Sequence, residues 1–550
     1  MNRRDLLTLD FPKHRHQDFS GVARTSSGLT PYAGPWTLAE VKHLLRRTMF
    51  GAPKADADYF VGLGLTNTIT ELLTAPASAP APPLWTYSSN YADPNVAQGQ
   101  TWVTAPFDNT ANSYRIKSYK AWWTGLMLNQ TRSIQEKMTL FLMNHFSTET
   151  ASVGDGRYSY TTNALCRQYA LGNFKSLVKQ ITLDPGMLKY LNGNSNTNNA
   201  PDENYGRELQ ELFTVGKDAN GNPYYTQADV QAAAHVLTGY RVNSTTIASY
   251  FDSTRHDPAN KTLSSFYNNT VITGQSGANG ANELDDLLTM IFATNEVALF
   301  ICRKLYRFFV YYEIDAAAET NVIQPLATIF RTNNYDILPV LTALFSSEHF
   351  FDTLNRGCLI KPPVDLAVAF CRDYGVVFPD ATVLIGQYAM WYKLVQQLAT
   401  ITQNIGDPPN VAGWPSYYQE PQYHELWINS DTLPKRNLFT DVMVNNGFSG
   451  SGSSIVADVV AYTATLTNPD DPDLLIQEVI DRHYSEDVSQ TVKTYLKNIL
   501  LSGQISNSYW TIAWNNYIGT PTNTSYYNIV LNRLRSMYQY IMDLSEYQLS

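Results

Sequence analysis

Ala200-Pro201-Asp202-Glu203-Asn204-Tyr205-Gly206-Arg207-Glu208-Leu209-Gln210-Glu211-Leu212-Phe213-Thr214-Val215-Gly216 is the stretch on which the fold reading turns. A proline and acidic residues open it and a glycine closes it, as the helix dipole and a left-handed cap require. On a helical projection Asn204, Arg207, Glu208 and Glu211 share one arc of about 100°. Tyr205, Leu209, Leu212 and Phe213 fill the neighbouring arc, and Gly206 and Gln210 take the remaining side. The stretch is therefore a short helix with an apolar and a polar stripe. The polar stripe has two readings. It is a solvated face carrying an Arg207–Glu211 pair worth a few tenths of a kcal/mol. Alternatively it faces inward, Gly206 admits a neighbouring element, and the acids line a site.

The same periodicity extends outward in both directions. Thr37-Leu38-Ala39-Glu40 is a capping box that opens a helix ending at Gly51-Ala52-Pro53. Further helical patterns cover 54–63, 112–146, 160–182, 227–238, 283–311, 320–331, 336–350 and 363–374, and then 472–482, 486–501, 507–516 and 524–547. Ala77 to Pro83 reads as a stiff extended linker. Between 241 and 282 Ser, Thr, Asn and Gly dominate and short β-like runs such as Thr270-Val271-Ile272 occur. Residues 404–431, rich in Pro, Gly, Trp and Tyr, read as a long ordered loop, a type of segment that usually carries function. The expected fold class is mainly α: a large multi-helix array with short β pieces and long ordered loops. The expected organisation is a polar arm over 1–35, a main helical domain over 36–445 and a C-terminal helical segment over 446–550 packed on it.

Composition narrows the function classes. The chain has 550 residues, 44% hydrophobic and only 16% charged, with a formal net charge of −10. Such an apolar fraction argues against disorder, and the acidic balance without a basic run argues against nucleic acid as a partner. No run of eighteen apolar residues occurs, so no membrane-spanning helix is expected. Arg3-Arg4 followed by Leu6-Leu7 is similar to the opening of a twin-arginine export signal, but Asp10, Lys13, His14, Arg15 and His16 interrupt the apolar region such a signal needs. Thirty-six tyrosines in a charge-poor body suit an exported protein. Four cysteines without a CxxC pair do not make a zinc site, and Cys358 with Cys371 leaves a disulfide open.

The chemistry-bearing candidates are few. His145 ends an aromatic helix, and His256-Asp257 occupies a loop, where an imidazole beside a carboxylate suits a turn, a metal ligand or a general base. His145, Glu208, Glu211 and His256 supply the ligand types for a divalent metal, without an HExxH pattern. As a catalytic set the candidates are Glu208, Glu211, His256 and Asp257. Asp218, Asn220 and Asn222 imitate a calcium loop, but Pro223 stands where glycine is needed, so a turn at Asn220-Gly221 is preferred. No nucleophile elbow, phosphate loop or dinucleotide fingerprint is present.

Several segments together resemble one bacterial family of unknown function, numbered eighteen hundred (DUF1800). They are Ala170-Leu171-Gly172-Asn173-Phe174, Asp184 through Leu191, Pro201 through Thr214, Leu237-Thr238-Gly239-Tyr240, His256-Asp257 with Lys261-Thr262, Arg303 through Phe309, and Pro408 through Pro415 with Trp427-Ile428-Asn429. The resemblance runs from about Trp36 to Ser550. The sequence departs from the family pattern at His235, Tyr240 and Pro362. The family has no settled activity, and its members are commonly encoded beside a twin-arginine-exported sulfatase-like protein. The resemblance thus implies assembly with such a partner and a periplasmic or extracellular location. It also favours the inward reading of the polar stripe, because Asn204, Arg207, Glu208, Glu211, His256, Asp257 and Lys261 all fall on motif positions.

Three functions follow as expectations. The first is a partner-binding helical protein, engaging a sulfatase-like protein or a surface polysaccharide through Asn204, Arg207, Lys261, Trp414, Trp427 and Asn429; aromatic side chains suit both sugar and protein faces. The second is a metal- or carboxylate-assisted hydrolase of an extracytoplasmic polymer, which requires His145, Glu208, Glu211 and His256 to converge in one open pocket. The third is a structural or filament-forming subunit.

Overall fold

The computed structural model describes residues 28–86, 91–414 and 427–550. Arg3, Arg4 and most of the amino-terminal arm, together with residues 415–426 of the long loop, lie outside the described residues. The described chain is mainly α, and its strands form only short antiparallel pairs. Tyr240–Asn243 pairs with Ala248–Phe251, Lys261–Thr262 with Val271–Ile272, and Phe448–Gly450 with Ser453–Ile455. The first two pairs fall within the Ser/Thr/Asn/Gly-rich 241–282 region.

The Leu38–Thr48 helix starts as its capping box requires, with Thr37 N–H donating to Glu40 Oε2 at 2.9 Å. Three long helical patterns are each broken in two. The 112–146 pattern becomes Asn109–Leu128 and Gln135–His145, because Asn129 turns its side-chain amide onto Gly125 O at 2.8 Å and ends the first helix. The 160–182 pattern becomes Gly156–Gln168 and Phe174–Thr182, the second capped by Asn173 Oδ1 accepting from Ser176 N at 2.9 Å. The 283–311 pattern becomes Glu283–Phe292 and Asn295–Phe309, with Thr294 extended between them. Apolar periodicity continues across each break because both halves bury a face in the same core.

Leu384–Thr400 and Thr432–Asn445 are helices beyond the sequence expectation. The first packs along Asn109–Leu128. At their contact Gly125 lies under the Trp391 ring, so close that a Cβ would sit 2.7 Å from its atoms. Only glycine allows that approach.

The C-terminal helices close over the rest. Thr524–Asp543 packs on Thr432–Asn445, and Leu549 bridges to Ile360. Buried Arg436 donates to Gln548 Oε1 and Lys361 O, both at 2.8 Å, and Lys361 Nζ donates to Tyr547 O at 2.7 Å. One hydrophobic cluster runs from Val41 to Tyr547. Cys358 and Cys371 are both free thiols, so the disulfide left open by the sequence is not formed. Among the described residues no helix is long and apolar enough to cross a membrane.

Candidate functional site

The 200–216 stretch is helical as expected, but in two forms. Asp202 caps it, accepting from Asn204 N at 2.8 Å, and an α-helix runs over Glu203–Glu208. A π-helical turn follows over Leu209–Thr214. Thr214 Oγ1 donates to Leu209 O at 2.5 Å, and the N–H groups of Val215 and Gly216 both reach Gln210 O at 2.9 Å. Such wide turns free carbonyls from the helical ladder and recur at functional sites. Here the freed carbonyls meet side chains from two other helices. Leu212 O accepts from Lys304 Nζ at 3.2 Å, and Phe213 O lies 3.1 Å from His145 Nε2. Lys304 Nζ is also 3.0 Å from His145 Nδ1, so the neutral imidazole accepts from lysine and donates to the carbonyl. Burial, and then the Lys304 charge, hold His145 well below its ordinary pKa. Burial, with Arg307 nearby, pushes Lys304 down to about 7.

Tyr205, Leu209, Leu212 and Phe213 are buried as the apolar stripe predicts, and Gly206 and Gln210 are buried with them. A Cβ on Gly206 would come within 3.2 Å of Ala234 N and Val230 O, so this glycine does admit a second helix, Gln227–Val236. The polar stripe stays at the margin. Asn204 is exposed, and Arg207, Glu208 and Glu211 are half-buried. Arg207 turns back to Glu203 at 3.0 Å and Gln227 at 2.9 Å rather than to Glu211. The π turn changes the phase of the helix between them, and Glu211 instead pairs with Lys217 at 2.6 Å and accepts from Tyr225 OH at 3.3 Å. Glu208 is pushed up to about 7, by burial first and then by the neighbouring Glu211 charge.

The His256-Asp257 loop has different company. His256 Nε2 is 3.0 Å from Glu283 Oε1, and its Nδ1 lies 3.1 Å from Thr238 Oγ1 and 3.0 Å from Thr238 O. Lys261 Nζ pairs with Glu283 Oε2 at 2.5 Å and also reaches Asp257 O. Gln275 N–H supplies a third donor to this carboxylate, at 2.7 Å. Glu283 is 0% exposed, and His256 and Lys261 are 4% exposed. Asp257 pairs with His235 at 2.6 Å. The structure thus joins His256 and Lys261, and adds Glu283, which the sequence reading missed. An acid opening the apolar run 283–292 was its one visible signal.

His145 is bonded to Phe213 O and Lys304, Glu211 to Lys217 and Tyr225, and His256 to Thr238 and Glu283. Both nitrogens of each imidazole are engaged by the partners above. Among the described residues no group of three or more His, Cys, Asp or Glu side chains is placed to hold a metal ion.

The remaining candidates lie beside the Gln135–His145 helix. Gly413, at φ +89°, presses against Asn144, whose side chain accepts from Trp414 N at 2.7 Å and donates to Trp414 O at 3.0 Å. Asn429 is a helix cap: its Oδ1 accepts from Asp431 N and Thr432 N, both at 2.9 Å. Thr432 Oγ1 in turn donates to Trp427 O at 3.1 Å. So fixed, Trp414 and Trp427 both line a cavity of about 60 Å³. Its other walls include Arg46 and Arg47 from Leu38–Thr48, Lys137 and Asn144 from Gln135–His145, Arg307 and Phe308 from Asn295–Phe309, and Asp365 from Pro363–Asp373. Lys137 pairs with Asp365. Arg47 donates to Ser550 O at 2.7 Å and Asn355 O at 3.0 Å. None of Arg46, Lys137 and Asp365 was singled out from sequence, because charged residues on helices so far apart in the chain carry no local pattern.

Fold and cavity together define a helical array, with a cation-walled, tryptophan-bounded cavity at the junction of its helices. A family model described as "Protein of unknown function (DUF1800)" matches residues 43–549, and the chain belongs to that family. No curated protein and no solved structure matches it.

Proposed function

We propose that this is an exported partner-binding protein, acting in the periplasm or outside the cell, that engages a sulfatase-like protein or a surface polymer at the Trp414–Trp427 cavity. The observation carrying this reading is the cavity itself. Three segments that carried the family resemblance supply Arg307, Phe308, Trp414 and Trp427 to its walls. Aromatic rings held at such a boundary suit sugar faces and protein side chains. The test is binding of the purified chain to a sulfatase-like protein and to surface polymer, by titration calorimetry. Saturable binding by the wild-type chain, reduced at least tenfold in Trp427→Ala, is expected. Absence of binding to both, or binding untouched by Trp414→Ala and Trp427→Ala, overturns the reading.

A carboxylate-assisted hydrolase is the second reading, and one observation favours it. A glutamate near pH 7 is suited to exchanging protons at neutral pH, and Glu208 has that property beside Glu211, Lys217 and Tyr225. In this form the reaction would use Glu208 and Glu211 without His145 or His256. Turnover of an extracytoplasmic polymer that disappears in Glu208→Gln, with folding intact, would establish it.

A further inference from the structure

The run from Asn498 to Asn532 carries no Asp, Glu, Lys, Arg or His, in a chain whose residues are 16% charged. Protein surface ordinarily has charge on about 25–35% of its residues. This run is nevertheless at the surface. Its centre is the Ser508–Gly519 helix, which packs on Thr524–Asp543. Trp510 and Trp514 are buried on its inner side, and Trp510 Nε1 donates to Pro469 O at 2.8 Å. At about 100° per residue Ile512 stands opposite those two rings, within about 60° of Tyr509 and Asn516. Ile512 is 58% exposed, Tyr509 50%, and Ile505, in the turn ahead of the helix, 98%. Ile505 also lines a groove along Gln490–Leu500, together with Tyr495 and Leu501. A helix without charge and with apolar side chains on both sides belongs in an interior, and among the described residues nothing covers its outer side.

We infer that this face is where two copies of the chain meet, the Ser508–Gly519 helix of each lying against its counterpart across a two-fold axis. Charge selects a second copy over other occupants. In a two-fold contact the residues near the axis face themselves, so a charge there meets its like. Two chains of −10 each repel over most of their surfaces, and the 498–532 run brings no charge to either side. Away from the axis both signs are present. At the groove Lys493 pairs with Asp487 at 2.6 Å and Lys497 with Asp473 at 2.8 Å, and both carboxylates are more than half exposed. Opposite charges are therefore available to face each other at the rim of the contact. A lipid surface fits less well. Anionic headgroups call for unpaired basic side chains, whereas these two lysines are paired and Arg533 donates to Leu500 O at 3.0 Å and Tyr509 O at 2.9 Å. A helix of 12 residues is about 18 Å long, a small footprint beside the roughly 800 Å² per partner of a stable interface, so the dimer is a weak and reversible one.

The test is sedimentation velocity of the full chain across about 1–300 μM, the span of weak association. The expected result is a mass that rises with concentration from 61.8 kDa towards twice that value. Ile512→Glu sets two carboxylates against each other at the axis and should weaken association at least tenfold. Ile505→Asp should weaken it as well, and Ile512→Leu should leave it within twofold. Both positions are exposed, so circular dichroism and Tm should stay those of wild type. Val271→Glu adds the same charge at an exposed position of another segment and should change nothing. Under mild oxidation Ile512→Cys should give a covalent dimer and Val271→Cys none, because only residues near the axis meet their own copies. A chain that stays monomeric over the whole range, or association unchanged in both Ile512→Glu and Ile505→Asp, overturns the inference. So does a monomer that instead binds phosphatidylglycerol vesicles through Ile512. Trp427→Ala should leave self-association intact while reducing partner binding, so this inference and the proposed function fail separately.

Discussion

Replacing Glu283 by alanine tests whether the histidine loop is a structural knot. The side chain is fully buried and accepts from Lys261 at 2.5 Å, His256 at 3.0 Å and Gln275 N–H at 2.7 Å. Its removal leaves the Lys261 ammonium at 4% exposure, with Asp257 O as its remaining hydrogen-bond acceptor here. Breaking one side of a buried ion pair is unfavourable by about 3–5 kcal/mol, because the other charge stays behind without compensation. At about 2.1 cal/mol/K per residue, the unfolding entropy of a 550-residue chain is about 1.2 kcal/mol/K, so a cooperative transition falls by about 3–4 °C. Differential scanning calorimetry at pH 7 reads this directly. The double variant Lys261→Met with Glu283→Leu removes both charges and should recover most of the loss. A Tm within about 1 °C of wild type for Glu283→Ala, or a double variant that falls as far as the single, would refute the argument.

Two further perturbations follow from the site geometry. The folded pKa of Glu208, about 7, lies above its ordinary value of 4.5, so the native state holds an extra proton between those limits and stability declines as pH rises through them. Glu208→Gln should therefore match wild type near pH 4.5 and exceed it in Tm at pH 8; a pH-independent difference would contradict the assignment. Gly413→Ala would place a Cβ 2.4 Å from Asn144 Oδ1 and 2.6 Å from Asn144 O at a left-handed backbone position. It should destabilise by about 1–3 kcal/mol and red-shift tryptophan emission as Trp414 leaves its clamp, whereas an unchanged spectrum would show that the clamp does not hold the ring.

What sequence made legible was local. The capping box at Thr37 and Glu40, the burial of Tyr205, Leu209, Leu212 and Phe213, and the close approach at Gly206 all follow from spacing within one or two turns. Breaks at Asn129, Asn173 and Thr294 were hidden because apolar periodicity is set by the core and runs through a kink. The π turn was hidden because its defining bonds join residues five apart within an ordinary-looking Leu-Gln-Glu-Leu-Phe-Thr run. The polar stripe misled in part: it marked real contacts, but they are Glu203, Gln227, Lys217 and Tyr225 at the rim, and not the imidazoles. Of the aromatic loop, Trp414 and Trp427 reach the cavity while Asn429 is spent on capping. The cavity's cations come from helices far apart in the chain, and only tertiary packing brings them together.

The wide turn at Leu209–Thr214 makes the chain length there unusually strict. Deleting any one of its six residues would let the segment tighten into regular α geometry without breaking a helix. The wide turn absorbs one extra residue, so the deletion would leave the downstream phase nearly unchanged but would draw the freed carbonyls back into the helical ladder. Leu212 O and Phe213 O would swing away from Lys304 and His145, stranding two nitrogens in the interior. A one-residue deletion, ordinarily harmless in a surface loop, would here undo two internal contacts.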